Sequence, residues 1–150
     1  MSYDSSKDTQ KHIDRVSELL NGAADELKGR GLIHDKTKLS SPEKELFDIY
    51  TPKLKDCTYG SEEYQTYLKE LKVALDHHYE NNSHHPEHYD DGIDGMDLFD
   101  VIEMFFDWKA ASERHDDGNI NTSIEINAKR FEMSSQLINI FNNTVKSQGY

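Results

Sequence analysis

"SEEYQTYLKELKVALDHHYE", Ser61 to Glu80, is the stretch that decides the fold class. Tyr64, Tyr67, Leu68, Leu71 and Leu75 recur at three- and four-residue spacing, the period of one helix face. Ser61 stands where an N-cap belongs. The spacing predicts a helix over this span, ending in His77 and His78. A loop follows from Asn81 to Gly95, with Pro86, Gly92 and Gly95 as its turn residues. It carries His84, His85 and His88, so five of the chain's eight histidines fall between Leu75 and Tyr89. A packed core has no use for that density of imidazole.

The same period extends outward in both directions. A first helix is predicted from about Asp8 to Leu27, with Ile13, Val16, Leu19, Leu20, Ala23, Ala24 and Leu27 on one face and Gly29 and Gly31 as its stop. "SSPEKELFDIY" reads as a second helix start, where Ser40 and Glu43 have capping-box spacing and Pro42 sits in the first turn. Its buried face is Leu46, Phe47 and Tyr50. Downstream, "MDLFDVIEMFFDWKAASER" is predicted as a further helix with Leu98, Val101, Ile102 and Phe105 toward the core. After a loop around Gly118, Ser123 is expected to cap one last helix, striped by Ile124, Ala128, Phe131, Leu137 or Ile138, Phe141 and Val145. No convincing alternating strand occurs. The expectation is an all-α bundle of five to six helices, with residues 1–10 flexible and 11–147 a single domain.

Composition limits the function. The net charge is −12, which repels phosphate backbones, so a duplex-binding role is not expected. A small anionic ligand remains compatible, because a bound cation reverses the local field. Cys57 is the single cysteine, so there is neither an intrachain disulfide nor a cysteine-based zinc site. The polar start "MSYDSSKDTQ" lacks a signal peptide, and no apolar run is long enough for a membrane span; a cytoplasmic protein is expected. The aromatic surplus leaves room for a homodimer face.

Several polar residues point to a metal. His34 and Asp35 are adjacent after two apolar residues; imidazole nitrogen and carboxylate oxygen together suit a divalent ion, and the second oxygen of Asp35 could bridge to another. Neutral histidine is the commonest metal ligand, which gives the run after Leu75 a purpose. Asp100, Glu103 and Asp107 share a face of an otherwise apolar helix, where a buried acid needs a partner or an ion. His12, taken alone, reads as a surface histidine near a helix start.

The order of these residues resembles the HD-domain superfamily of metal-dependent phosphohydrolases. "KHIDRVSELL" is similar to its opening helix, "LIHDKTKL" to its signature pair followed by a lysine, and "DVIEMFFDWKAASER" to the late helix that returns an Asp to the metal. Lys11 to Val145, including "HHYENNSHHPEH" and "EMFFDW", also resembles a family of small proteins from phages and bacteria. The resemblance implies metal ligands at His12, His34, Asp35, His77, His78 and Asp107, with Asp100 the rival for the last. It implies Lys38 facing a phosphate oxygen. The loop "HHPEH" departs from the general pattern, and the number of ions, one or two, stays open.

The expected activity is hydrolysis of a small phosphate ester, a nucleotide or cyclic nucleotide, by water activated on a divalent ion such as Mn, Ni, Co, Zn, Mg or Fe. Lys38 and Glu103 are the catalytic candidates, for charge stabilisation and proton transfer. Asn82, His84, His85, His88 and Arg114 are the candidates for contacting substrate. Two other readings stand beside this one: a non-catalytic metal-containing binding module, and a di-iron oxygenase of the HD type. No ExxE pair occurs, which sets aside the all-α nucleotide pyrophosphatases.

Overall fold

A computed structural model describes residues 3–56, 61–114 and 118–150. Among them the protein is all-α, with six α-helices, three short 3-10 helices and no strand. The helices are α1 (Ser6–Ile33), α2 (Glu43–Asp56), α3 (Glu62–Asn81), α4 (Leu98–Ser112), α5 (Ile120–Arg130) and α6 (Ser135–Gln148). The chain divides into two compact units, Met1–His34 and Asp35–Tyr150.

The first unit is a single long helix. It starts at Ser6, inside the stretch expected to be flexible, and runs through Gly29 and Gly31 to Ile33. A glycine in a helix costs only about 1 kcal/mol against alanine, and neither glycine stops the chain here. The stop comes instead at His34, whose backbone leaves the helical region (φ −47°, ψ 127°) and whose N–H still donates to Arg30 O.

The second unit opens on Asp35, which adopts a left-handed conformation at φ 55°. Asp tolerates that region better than most residues, at a cost of about 1–3 kcal/mol that marks a position held for a reason. A 3-10 turn, Lys36–Leu39, leads into α2. α2 and α3 pack along each other, with Leu71 and Ala74 buried between elements and Tyr64, Tyr67, Leu68 and Leu75 half-buried. Ser61 caps α3 as expected, accepting from Tyr64 N at 3.1 Å.

The apolar core lies among α4, α5 and α6: Met104, Phe105, Ile120, Ile124, Met133, Phe141 and Val145, with Trp108 and Phe131 against it. Leu98, expected to face that core, is instead 70% exposed at the first turn of α4. The single last helix of the sequence reading is two helices. Asn119, not Ser123, caps α5; Phe131 ends it; Glu132 turns left-handed at φ 50°; and Ser134 caps α6 by accepting from Leu137 N. The apolar period continues across the break because both helices face the same core, so periodicity alone does not reveal it.

Candidate metal centre

The loop between α3 and α4 is pinned from α4. Asp97 and Asp100 form a reciprocal capping box. The Asp100 carboxylate, 1% exposed, also accepts from Ser83 Oγ and the Tyr89 hydroxyl, each at 2.6 Å. Burial, then the hydrogen bond to Asp100 and its charge, push the Tyr89 hydroxyl up to about 12. Gly95 lets Tyr89 approach this closely, since a Cβ at Gly95 would lie 2.7 Å from Tyr89 Cβ. Asp100 therefore anchors the loop. Its neighbours one and two turns on, Glu103 and Asp107, are the acids of α4 that reach the histidines.

This anchoring folds His84 and His85 back onto the end of α3. Asp35, His78, His84 and His85 each offer one donor atom, and all four atoms lie within 4.8 Å of one another. Asp35 Oδ1 is 3.2 Å from His78 Nε2 and 3.5 Å from His84 Nε2, and His78 Nε2 is 3.0 Å from His85 Nε2. Donors held about 2.0–2.2 Å from one ion are about 3–3.5 Å apart, so these separations fit a single ion. Asp107 Oδ2 lies 3.9 Å from His84 Nε2, at the edge of the group.

The outer partners set the protons. Glu43, 0% exposed, accepts from His78 Nδ1 at 2.9 Å and from His77 Nδ1 at 2.7 Å. Glu103 Oε1 lies 3.1 Å from His84 Nδ1 and accepts from it. With each Nδ1 proton held by a carboxylate, Nε2 is the atom of both rings that faces the Asp35 oxygen: it donates to Asp35 when the ring carries a second proton and offers a lone pair to an ion when it does not; these tautomers follow from the hydrogen-bond network. Carboxylates behind metal-binding histidines act in this way, fixing tautomer and ring orientation.

The charge balance agrees. Burial would raise the Asp35 carboxyl, but hydrogen bonds from His78, His84 and Lys38, with the Lys38 charge, hold it well below the usual carboxylate range. Glu43 behaves alike: burial pushes it up, and hydrogen bonds from His77, Thr37 and His78 bring it below its ordinary value. His85 is pushed down to about 3, first by burial and then by the neighbouring His84 and His78. It is a neutral imidazole at every working pH, the form that binds metal.

A pH dependence follows in chelator-treated protein. Unfolded His85 takes up a proton near pH 6.5, whereas folded His85 resists it down to about 3. Its effect on stability is therefore absent above pH 6.5, and stability falls as pH drops through 6.5 toward 3. The slope from this group is at most about 1.4 kcal/mol per pH unit. Urea unfolding of His85→Gln between pH 7 and 4 is expected to show a flatter acid limb than wild type.

The structure places the other candidates as follows. His77 belongs to Glu43 rather than to the converging donors. His84 and His85, expected to contact substrate, are in the donor group itself. Asn82, expected to contact substrate, is buried, its amide donating to His78 O at 2.8 Å and Thr37 Oγ1 at 3.0 Å, so that it braces the end of α3. His88 is exposed and donates from Nδ1 to Tyr79 O. Arg114 is exposed beyond the end of α4. Lys38 Nζ donates to Asp35 Oδ2 at 2.6 Å, so the oxygen expected to bridge a second ion is engaged by a lysine. Glu103, expected to carry protons, orients His84. His12 and His34 belong to the first unit, His34 as the residue before Asp35.

Sequence reasoning missed Glu43 as a site residue, because its spacing from Ser40 matches a capping box. The Ser40 hydroxyl in fact donates to Thr37 O. A signal was present: Glu43 shares the helix face of Leu46, Phe47 and Tyr50, which is the buried one.

No curated protein and no solved structure matches the chain. A family model described as "Family of unknown function (DUF5662)" matches residues 1–147. With all but the last three of its 150 residues inside that match, the chain belongs to this family.

Proposed function

We propose that the protein is a metal-dependent hydrolase of small phosphate esters, with one ion held by Asp35, His78, His84 and His85 and Asp107 as a further donor. The observation that carries this reading is the pair of carboxylate–histidine contacts, Glu43 to His78 and Glu103 to His84, that turn both Nε2 atoms toward Asp35 Oδ1. Three nitrogens and hard carboxylate oxygen suit Zn, Mn, Co, Ni or Fe. When bound, such an ion lowers the pKa of a coordinated water and neutralises a phosphate oxygen.

The chain's own residues supply the rest. Asp35 is ionised at any working pH and anchors the donor set. Lys38, beside Asp35 Oδ2, brings the positive charge that a phosphate needs in an acidic protein. Glu43 and Glu103 hold the Nδ1 protons in place. The engagement of Asp35 Oδ2 by Lys38 favours one ion over two, which weighs against a di-iron oxygenase. His12 enters as a ligand by the resemblance alone, and a nucleotide or cyclic nucleotide as substrate rests on it too.

The test is a phosphate-release screen. Protein loaded in turn with Mn, Co, Ni, Zn, Mg and Fe is offered a phosphomonoester, a phosphodiester and a nucleotide panel. Turnover that is abolished by chelator and restored by metal is the expected result. Metal bound stoichiometrically with no turnover on any ester would overturn the hydrolase reading in favour of a metal-containing binding module.

A further inference from the structure

A cleft of about 230 Å³ opens on the histidine cluster, with His85, Asp107, Glu87, Arg130, Trp108 and Phe131 in its wall. It shares His85 and Asp107 with the donor group, so whatever enters it meets the candidate metal position. A wider cleft of about 610 Å³ lies along α5 and α6, lined by residues such as Glu125, Lys129 and Asn142, and none of the donors contributes to it. At about 230 Å³ the first cleft is smaller than the roughly 300–1,000 Å³ pockets that enclose whole drug-sized ligands. Its size suits one group of a ligand.

Arg130, in the last turn of α5, brings positive charge to this cleft. Three contacts hold it. Its Nη2 donates to Glu87 Oε1 at 2.5 Å, its guanidinium stacks over the Phe131 ring at 4.7 Å, and it hydrogen-bonds the Tyr79 hydroxyl. Glu87 comes from the histidine-rich loop, the segment that the superfamily resemblance does not account for. The Arg130 and Glu87 side chains are 54% and 26% exposed. An ion pair so open to water contributes little stability and exchanges readily. A planar guanidinium takes two oxygens of a phosphate at once, which the single Glu87 oxygen does not exploit.

We infer that this cleft is the anion subsite of the metal centre, and that Arg130 binds a phosphate group of the ligand there, releasing Glu87 as it does so. The inference rests on the metal reading through the shared His85 and Asp107. Arg130 thereby takes the substrate-anchoring role that the sequence assigned to Arg114. Glu87 is the placeholder: its carboxylate occupies the guanidinium until a better anion arrives, which makes the histidine-rich loop responsive to ligand. The parallel rings of Trp108 and Phe131, 6.4 Å between centroids with planes 4° apart, add an apolar wall beside the charge.

Trp108 is the chain's one tryptophan, so its fluorescence reports on this cleft directly. The experiment titrates inorganic phosphate into full-length wild type, Arg130→Gln, Arg130→Lys and Glu87→Gln, each with metal and in chelator, with metal content measured on the same samples. Wild type should show a saturable change in emission. Arg130→Gln should weaken phosphate at least tenfold, Arg130→Lys should fall between, and Glu87→Gln should bind several-fold tighter because no carboxylate competes. Metal content should not change in any of them. Equal phosphate affinity in wild type and Arg130→Gln, in both the metal-loaded and the chelated samples, would overturn the subsite. Absence of metal uptake by wild type would instead sink the metal reading, and the Arg130 comparison in chelator would still decide the anion site.

Discussion

Asp35→Asn is expected to lose metal affinity by more than about 100-fold while its helices persist. The size follows from position. Carboxylates one shell out from a metal carry about 10–100-fold in affinity, and Asp35 is the residue that two histidine nitrogens face at 3.2 and 3.5 Å. Asparagine keeps the shape and tolerates the left-handed backbone at φ 55°, so strain does not confuse the result. It loses the charge that draws the ion and the partner of Lys38. Calorimetric titration with Zn or Mn measures the affinity, and circular dichroism on the same sample checks the helices. Metal affinity unchanged in Asp35→Asn would remove the residue from the site.

Glu43→Ala is expected to damage both fold and site. The carboxylate is fully buried and serves two imidazoles at 2.7 and 2.9 Å. Its removal leaves His77 and His78 without their common acceptor, at a cost of about 2–4 kcal/mol from two hydrogen bonds to a charged group. It also frees the tautomer of His78, so metal affinity should fall by about 10–100-fold. Glu43→Gln, which retains one acceptor, should fall between in both measurements. Urea unfolding gives the first quantity and metal titration the second. A Glu43→Ala protein of wild-type stability that binds metal as well as wild type would show that the carboxylate supports neither His77 nor His78.

The period of apolar residues made the helices legible, and Ser61 marked the start of α3 to the residue. Two kinds of feature escaped. The break between α5 and α6 depends on the backbone of Glu132, which no periodicity records, since Ile124 and Phe141 point to one core from either side of it. The glycines at 29 and 31 looked like a stop, yet the chain leaves the helix at His34 and Asp35, where a non-glycine residue takes the left-handed turn.

At the site, residue types were legible and partners were not. The pair His34–Asp35, the histidine run and the acids of α4 were visible as candidates. Which of them meet depends on how Asp100, Ser83 and Tyr89 fold the loop back, a contact between residues 11 and 17 positions apart. That fold brings His84 and His85 to His78 and leaves His77 with Glu43. It also separates two acids on one helix face: Asp100 holds the loop, and Asp107 reaches the histidines. Glu43 was hidden by its likeness to a helix cap, and Arg130 by its place on a helix that looked like scaffold.

A bound ion at Asp35, His78, His84 and His85 is tested by the metal stoichiometry of full-length protein purified without a histidine tag, measured by elemental analysis before and after dialysis against Zn or Mn. One equivalent per chain is expected, retained through gel filtration and released by chelator. A protein that arrives empty and takes up no metal on dialysis would contradict it.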